Sequence, residues 1–354
     1  VSLLFPPQVP RFDVALRDAR SPRANTRLLA AQALANPPAG ARDEACAVLR
    51  MLADDPEGAV RSLAIAALGE LGDEAALELV LAHLDDSVAE VREFAVIALG
   101  RIGGDRAVRA LARALRDTRP EVRFQAVESY AEASPDDAPA LLVPLLGDAD
   151  ARVREHTLDA LGALGDPATA DAIAATLRDT TSAVRFAAAI ALARLDDARG
   201  TAALVEGLDE KDRVLAACEA LATLRAEAAR EPLADVARRI LVPLVVKAGA
   251  AGALAALGDP RGEEGLRAVL TAFRADGRSY AAELVGRHRV ATLASALVAL
   301  IERPRGSDPV VVARALAALA PHSDVARDAT ARLSERADDV GRAARGEPDS
   351  ERTG

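Results

Sequence analysis

The chain has 354 residues, 51% of them apolar but only 2% aromatic, with no Trp, two Cys and a formal net charge of −10. Burial must therefore rest on Ala, Leu and Val, which suits closely packed helices better than sheets. The acidic balance argues against gripping nucleic acid as the main task, because neutralising phosphates needs a basic surface.

Residues 1–13 read as an N-terminal arm. Its opening Val-Ser-Leu-Leu-Phe-Pro-Pro has no basic stretch and its apolar run is too short for a signal peptide. No later segment approaches the roughly 18 uninterrupted apolar residues of a membrane span. A cytoplasmic location is the expectation. Cys46 and Cys218 stand far apart in Ala-rich contexts, so their spacing builds neither a disulfide framework nor a metal site, and both read as buried small residues.

Residues 14–208 carry a regular repeat. Val-Arg pairs recur at Val60-Arg61, Val91-Arg92, Val122-Arg123, Val153-Arg154 and Val184-Arg185, each 31 residues after the last. Six residues before each Arg stands Asp55, Asp86, Asp117, Asp148 or Asp179, and seven after it Leu68, Leu99, Tyr130, Leu161 or Leu192. Self-similarity at such a period marks a repeat architecture. Within one period Val60, Ala64, Ile65, Leu68 and Leu71 share a helical face, and Leu77, Val80, Leu81 and Leu84 share another, so each repeat is a pair of helices. Gly72-Asp73 and Gly165-Asp166 fit the break between the two, Gly ending one helix and Asp capping the next. Arg27 with Leu34 is a weaker copy upstream.

Residues 209–335 continue the stack in degenerate form, with Val214 and Leu221, Lys247 and Leu254, Arg278, then Pro309 and Leu316 in the columns, which makes about ten units in all. Between Arg185 and Lys247 the step becomes 29 and then 33, so 209–246 is a candidate irregularity. Residues 336–354, with almost no large apolar residue, read as a polar, disordered tail.

The pattern of Asp55, Val60-Arg61, Ala64, Ala67-Leu68-Gly69 and Leu71-Gly72-Asp73 resembles the HEAT repeat family, in particular the short HEAT-like repeats of phycobilin lyases, and is clearest over residues 50–208. The resemblance implies an all-α, right-handed α-α superhelix with the Val-Arg helix on the concave face. It also implies a structural ladder of Asp55, Arg61, Asp86, Arg92, Asp117, Arg123, Asp148, Arg154, Asp179 and Arg185, each Arg bonding the turn Asp of a neighbouring repeat. The competing reading of the Arg column is a line of guanidiniums tracking a phosphate backbone.

On the Val-Arg helix the positions one, five and nine after Arg point away from the packed stripe. They are Ser62, Ala66 and Glu70; Glu93, Ile97 and Arg101; Phe124, Glu128 and Glu132; Glu155, Asp159 and Ala163; Phe186, Ile190 and Arg194. Phe94 sits at the flank. Apolar groups ringed by carboxylates suggest a partner site made of Glu93, Phe94, Ile97, Phe124, Glu128, Glu132, Glu155, Asp159, Phe186 and Ile190. Its occupant would be a basic, amphipathic protein segment. The expected function is a non-catalytic scaffold or regulatory adaptor, with no cofactor and no catalytic or metal-binding residues. A bilin-lyase-like or nucleic-acid-directed enzyme is the alternative.

Catalytic signatures are scarce. His83, His156, His288 and His322 form no zinc motif, and none precedes the Glu of the His-Glu pairs that bind iron in HEAT-like hydroxylases. The run Lys247-Ala-Gly-Ala-Ala-Gly follows no strand and lacks a phosphate-loop ending, so it reads as an Ala/Gly-rich repeat helix. Gly286-Arg287-His288-Arg289 reads as a solvated helix end.

Overall fold

The computed structural model describes residues 9–133 and 136–348, and every regular element among them is helical. The chain divides into two compact units, Val1–Val184 and Arg185–Gly354. Each is an α-solenoid of helix pairs in two layers.

In the first unit α1 (Phe12–Asp18) leads into pairs α2 (Ala24–Leu34) with α3 (Arg42–Leu52), α4 (Gly58–Glu70) with α5 (Leu77–Ala82), α6 (Ala89–Ile102) with α7 (Gly104–Ala114), α8 (Pro120–Ala133) with α9 (Ala138–Leu142), and α10 (Ala151–Leu164) with α11 (Ala170–Ala175). The first members, α2, α4, α6, α8 and α10, pack side by side in succession and form the first layer. Val60, Ala64, Ile65 and Leu68 of α4 and Val91, Ala95, Val96 and Leu99 of α6 are fully buried, the stripe that the 31-residue columns require. Each large aliphatic so placed contributes about 1.5 to 3 kcal/mol. Small residues set the spacing: a Cβ on Gly69 would stand 2.7 Å from the Ala98 Cα, so α4 and α6 approach to near backbone contact there.

The second unit opens within α12 (Ser182–Arg194) and continues through α13 (Thr201–Gly207), α14 (Val214–Thr223), α15 (Arg230–Arg238), α16 (Leu244–Ala256), α17 (Pro260–Thr271), α18 (Arg278–Arg287), α19 (Ala294–Glu302), α20 (Pro309–Leu319), α21 (Asp324–Ser334) and α22 (Asp339–Ala344). Its first layer runs α14, α16, α18, α20, α22. The irregular stretch of sequence contains a late start of α14 at Val214 and an open link after α15, where Ile240 and Leu241 are almost wholly exposed.

The polar tail expected over 336–354 is corrected in its described part. Residues 339–344 form α22, which packs on α20 and α21 and buries Val340, Ala343 and Ala344, while the Asp338 carboxylate caps it by accepting from the Gly341 N–H. Small apolar residues at helical spacing make a face that average composition conceals. Residues 1–8 of the expected arm and 349–354 of the tail lie outside the described residues.

Several first-layer helices end alike. Eleven residues after the column position the chain enters the left-handed region, where Gly is least strained, at Gly72 (φ +59°), Gly103 (+70°), Gly165 (+70°) and Gly258 (+67°), whereas α20 ends at Ala320 in the right-handed region. Asp166 then accepts from the Ala168 N–H at 3.0 Å and starts the return turn, as its sequence position suggested, whereas Asp73 makes no such cap bond and accepts from Arg50 at 2.6 Å instead. In three repeats of the second unit the same position holds Asp196 (φ +58°), Arg225 (+46°) and Arg289 (+56°).

Candidate functional site

The Arg column lies at the repeat junctions. Arg61 donates through Nε and Nη2 to both oxygens of Asp86 at 2.8 and 2.7 Å, and through Nη1 to the Asp55 carbonyl at 2.8 Å. Arg123 does the same with Asp148 and the Asp117 carbonyl, and Arg154 with Asp179 and the Asp148 carbonyl. Arg27, from the weak upstream copy, grips Asp55 at 2.6 and 2.8 Å. Each Asp also accepts from the N–H two residues on, as Asp86 does from Val88 at 2.8 Å and Asp148 from Asp150 at 2.9 Å. One carboxylate thus closes its own turn and anchors the guanidinium of the preceding repeat, in the bidentate geometry that Arg favours. The Arg61 bond holds the Asp86 carboxyl below the usual carboxylate range, and Arg154 does so for Asp179. At Asp148 burial opposes ionisation, and the bonds from Arg123 and Asp150 outweigh it.

Arg92 departs from the expected ladder. Asp117 is held instead by Arg119, two residues ahead, at 2.7 and 2.6 Å, so Arg92 turns to Glu121 at 2.6 Å and keeps its Nη1 bond to the Asp86 carbonyl. Its Nε is buried without a hydrogen-bond partner. Arg185 opens the second unit, and the residue 25 further on is Glu210 rather than Asp.

In the first unit's first layer, α6, α8 and α10 carry the carboxylates expected there. Glu128, Glu132 and Asp159 are exposed, and Glu93 and Glu155 half-buried. The apolar members are not free-standing anchors: Phe94, expected at the flank, and Ile97 and Phe124, which helical periodicity alone points outward, are all half-buried. The Phe124 ring stacks on His156 of α10, centroids 4.3 Å apart and planes 18° from parallel. His156 Nε2 is buried with no hydrogen-bond partner and lies 3.9 Å from Glu128 Oε2. Ser62, another position taken as outward, is buried and donates to the Ala59 carbonyl.

Phe186 and Ile190 belong to the second unit. Phe186 is drawn in against α13: a Cβ on Gly207 would fall 2.4 Å from its ring, and the Arg213 guanidinium sits 5.3 Å from the ring centroid. It is a packing residue under a cation rather than an open contact. Ile190 is half-buried and borders a shallow depression with Arg194, Glu219 and Thr223.

A feature that the linear sequence did not expose lies on the second unit's first layer, a cleft of about 600 Å³ over α16. Its floor is Gly249, Ala253 and Ala256; α14 supplies Glu219 and Thr223 as one wall, α18 supplies Tyr280, Leu284 and Arg287 as the other, and Arg225, His288 and Arg289 stand at its edge. Tyr280 donates to Glu219 at 3.0 Å, spanning the floor helix. Burial, then the nearby Glu219, raise the Tyr280 hydroxyl above its usual range, while burial lowers the His288 imidazole. Cys218 beneath is pushed up to about 12 by burial, which leaves a neutral thiol. The Ala/Gly run of α16 and the basic cluster after α18 are unremarkable separately. Their juxtaposition comes from the 31-residue stacking, and only aligning 247–256 with 278–289 in one register could have signalled it.

A family model for HEAT repeats matches residues 14–93, 81–155 and 139–222. Among solved structures, the chain is similar to the Escherichia coli protein YibA, 21% identical over 85% of this chain and 98% of that one, with a TM-score of 0.52. It is also similar to importin beta, 15% identical over 91% of this chain and 53% of that one, with a TM-score of 0.54. Both likenesses are of fold. The complex of CpcE and CpcF of phycocyanin lyase from Nostoc sp. PCC7120 matches at 22% identity over 62% of this chain and 92% of that one, with a TM-score of 0.41. A search of the curated proteins finds no match.

Proposed function

The chain belongs to the HEAT repeat family, a helical-repeat scaffold for protein interaction, and from that premise we propose that the first-layer face of α6, α8 and α10 holds a basic, amphipathic segment of a partner protein without catalysing a reaction. The observation that carries this reading is the Phe124–His156 stack, with Glu128 3.9 Å from His156 and Glu93, Glu132, Glu155 and Asp159 carried on the same three helices. A half-buried aromatic pair offers apolar area at little entropic cost, and the carboxylates around it steer a cationic partner and fix its register.

The reading separates two contributions. A fluorescently labelled Lys/Leu amphipathic helical peptide serves as the probe, titrated onto the full chain. Phe124→Ala should weaken binding through faster dissociation, by about 2 kcal/mol or more for a central aromatic contact. Glu128→Lys with Asp159→Lys should slow association and flatten its salt dependence. Wild-type affinity and rates in both variants, or no saturable binding by the wild type, would overturn the proposal.

A further inference from the structure

The cleft over α16 differs in chemistry from the acidic face of the first unit. Its edge carries Arg225 and Arg289, which follow α14 and α18 at equivalent positions, with Arg287 and His288 beside them. Both Arg225 and Arg289 are exposed, and among the described residues neither makes a side-chain hydrogen bond or ion pair. Each occupies the left-handed cap position where Gly72, Gly103, Gly165 and Gly258 stand in other repeats. A side chain there is strained, and an Arg adds nothing to the backbone turn that Gly would not provide. Beyond the cations the floor is made of small residues: a Cβ on Gly249 would stand 3.0 Å from Leu215 and 3.7 Å from Tyr280. The cleft has a mostly polar lining over this floor of small residues, and its volume of about 600 Å³ falls in the range of small-molecule sites, which run about 300 to 1,000 Å³.

We propose that this cleft binds a small organic anion, its charged group taken by the Arg225 and Arg289 guanidiniums and its apolar body laid over the Gly249–Ala253 floor against Tyr280. Carboxylate and phosphate share the chemistry that such guanidiniums recognise. The Glu219 carboxylate, held by Tyr280 on the far wall, accepts from a hydroxyl or amine on the same ligand and disfavours a second anionic group there.

The test uses the full chain with anilinonaphthalene sulfonate, an organic anion with an apolar body, and its uncharged counterpart N-phenyl-1-naphthylamine. The wild type should bind the sulfonate at one saturable site and the neutral probe at least about tenfold more weakly, as expected when a charged hydrogen bond is lost. Arg225→Gly with Arg289→Gly restores the residue used at the other helix ends, so the melting temperature should stay the same or rise while sulfonate affinity falls at least about tenfold. Ala256→Leu, which fills the floor and leaves the charges, should weaken both probes. Displacement of the sulfonate by phenyl phosphate or by benzoate identifies which anion the site prefers, and either supports the proposal. Unchanged sulfonate affinity in the double glycine variant, or displacement by neither anion, would overturn it.

Discussion

Replacing Arg123 by Ala tests whether the Arg column is architecture. The side chain makes three hydrogen bonds, two to Asp148 at 2.6 and 2.7 Å and one to the Asp117 carbonyl at 2.8 Å, with 13% and 6% of the two side chains exposed. Removing one member of a well-buried pair costs about 3 to 5 kcal/mol. Asp148 retains its bond from the Asp150 N–H and water reaches the junction once the guanidinium is gone, so about 2 to 3 kcal/mol is expected. Arg92→Ala provides the contrast. Its partner Glu121 is 30% exposed, Asp117 is already held by Arg119, and the removal also takes away a buried, unpartnered Nε, so the loss should be about 1 kcal/mol. Urea unfolding followed by circular dichroism would report the two as shifts in midpoint, with affinity for the model peptide measured alongside. Equal losses at the two positions would refute the geometric argument. Unchanged stability in Arg123→Ala together with lost binding would move the column from architecture to recognition.

Three further outcomes follow from the same geometry. Because Asp86 and Asp179 titrate below their unfolded value of about 3.9, their pairs stabilise the fold fully above that pH and progressively less as pH falls towards the lower folded value, so acid unfolding should set in below about pH 4 and Asp86→Asn should flatten that pH dependence, measured as midpoint against pH. Gly69→Ala should destabilise by about 1 to 3 kcal/mol through overpacking on Ala98, whereas Gly147→Ala, with nothing near its Cβ and no positive φ, should be neutral or stabilise by up to about 1 kcal/mol, as thermal melts of the pair would show. Val340→Asp should undock α22 and raise amide exchange over 339–344 while exchange in α4 to α10 stays as it is.

What was legible in the sequence is what every repeat must do alike. Val60, Ala64 and Leu68 recur because each junction has the same cross-section to fill, and Arg61 with Asp86 recurs because each junction needs the same clamp, so the helix pairs and most of the ladder can be read from spacing alone. Local competition was not legible. Arg119 captures Asp117 from two residues away, and no column marks that because it happens in one repeat only. The outward direction assigned to Phe124 and Phe186 came from one helix considered alone. His156 on the next helix covers the first, and Gly207, by lacking a side chain, admits the second. The α22 helix was hidden because three small buried residues suffice to dock one turn and a half against a stack already formed.

The separation of roles along each first-layer helix is itself a consequence of repetition. Positions facing the next repeat are coupled to an identical surface, so a change there must be matched by its neighbour, whereas the position eleven residues after the column Arg need only turn the chain. Gly satisfies that need at least strain, which makes a departure from Gly informative in a way that variation on an open helix face is not. Asp196, Arg225 and Arg289 are such departures; the two arginines flank a repeat that keeps Gly258, and both reach the cleft whose floor that same repeat strips to Gly and Ala. The strain at two helix ends and the missing side chains between them are therefore one arrangement, local to three repeats. Returning the two arginines to Gly should leave the solenoid as stable or more so while removing what distinguishes this cleft from the other junctions.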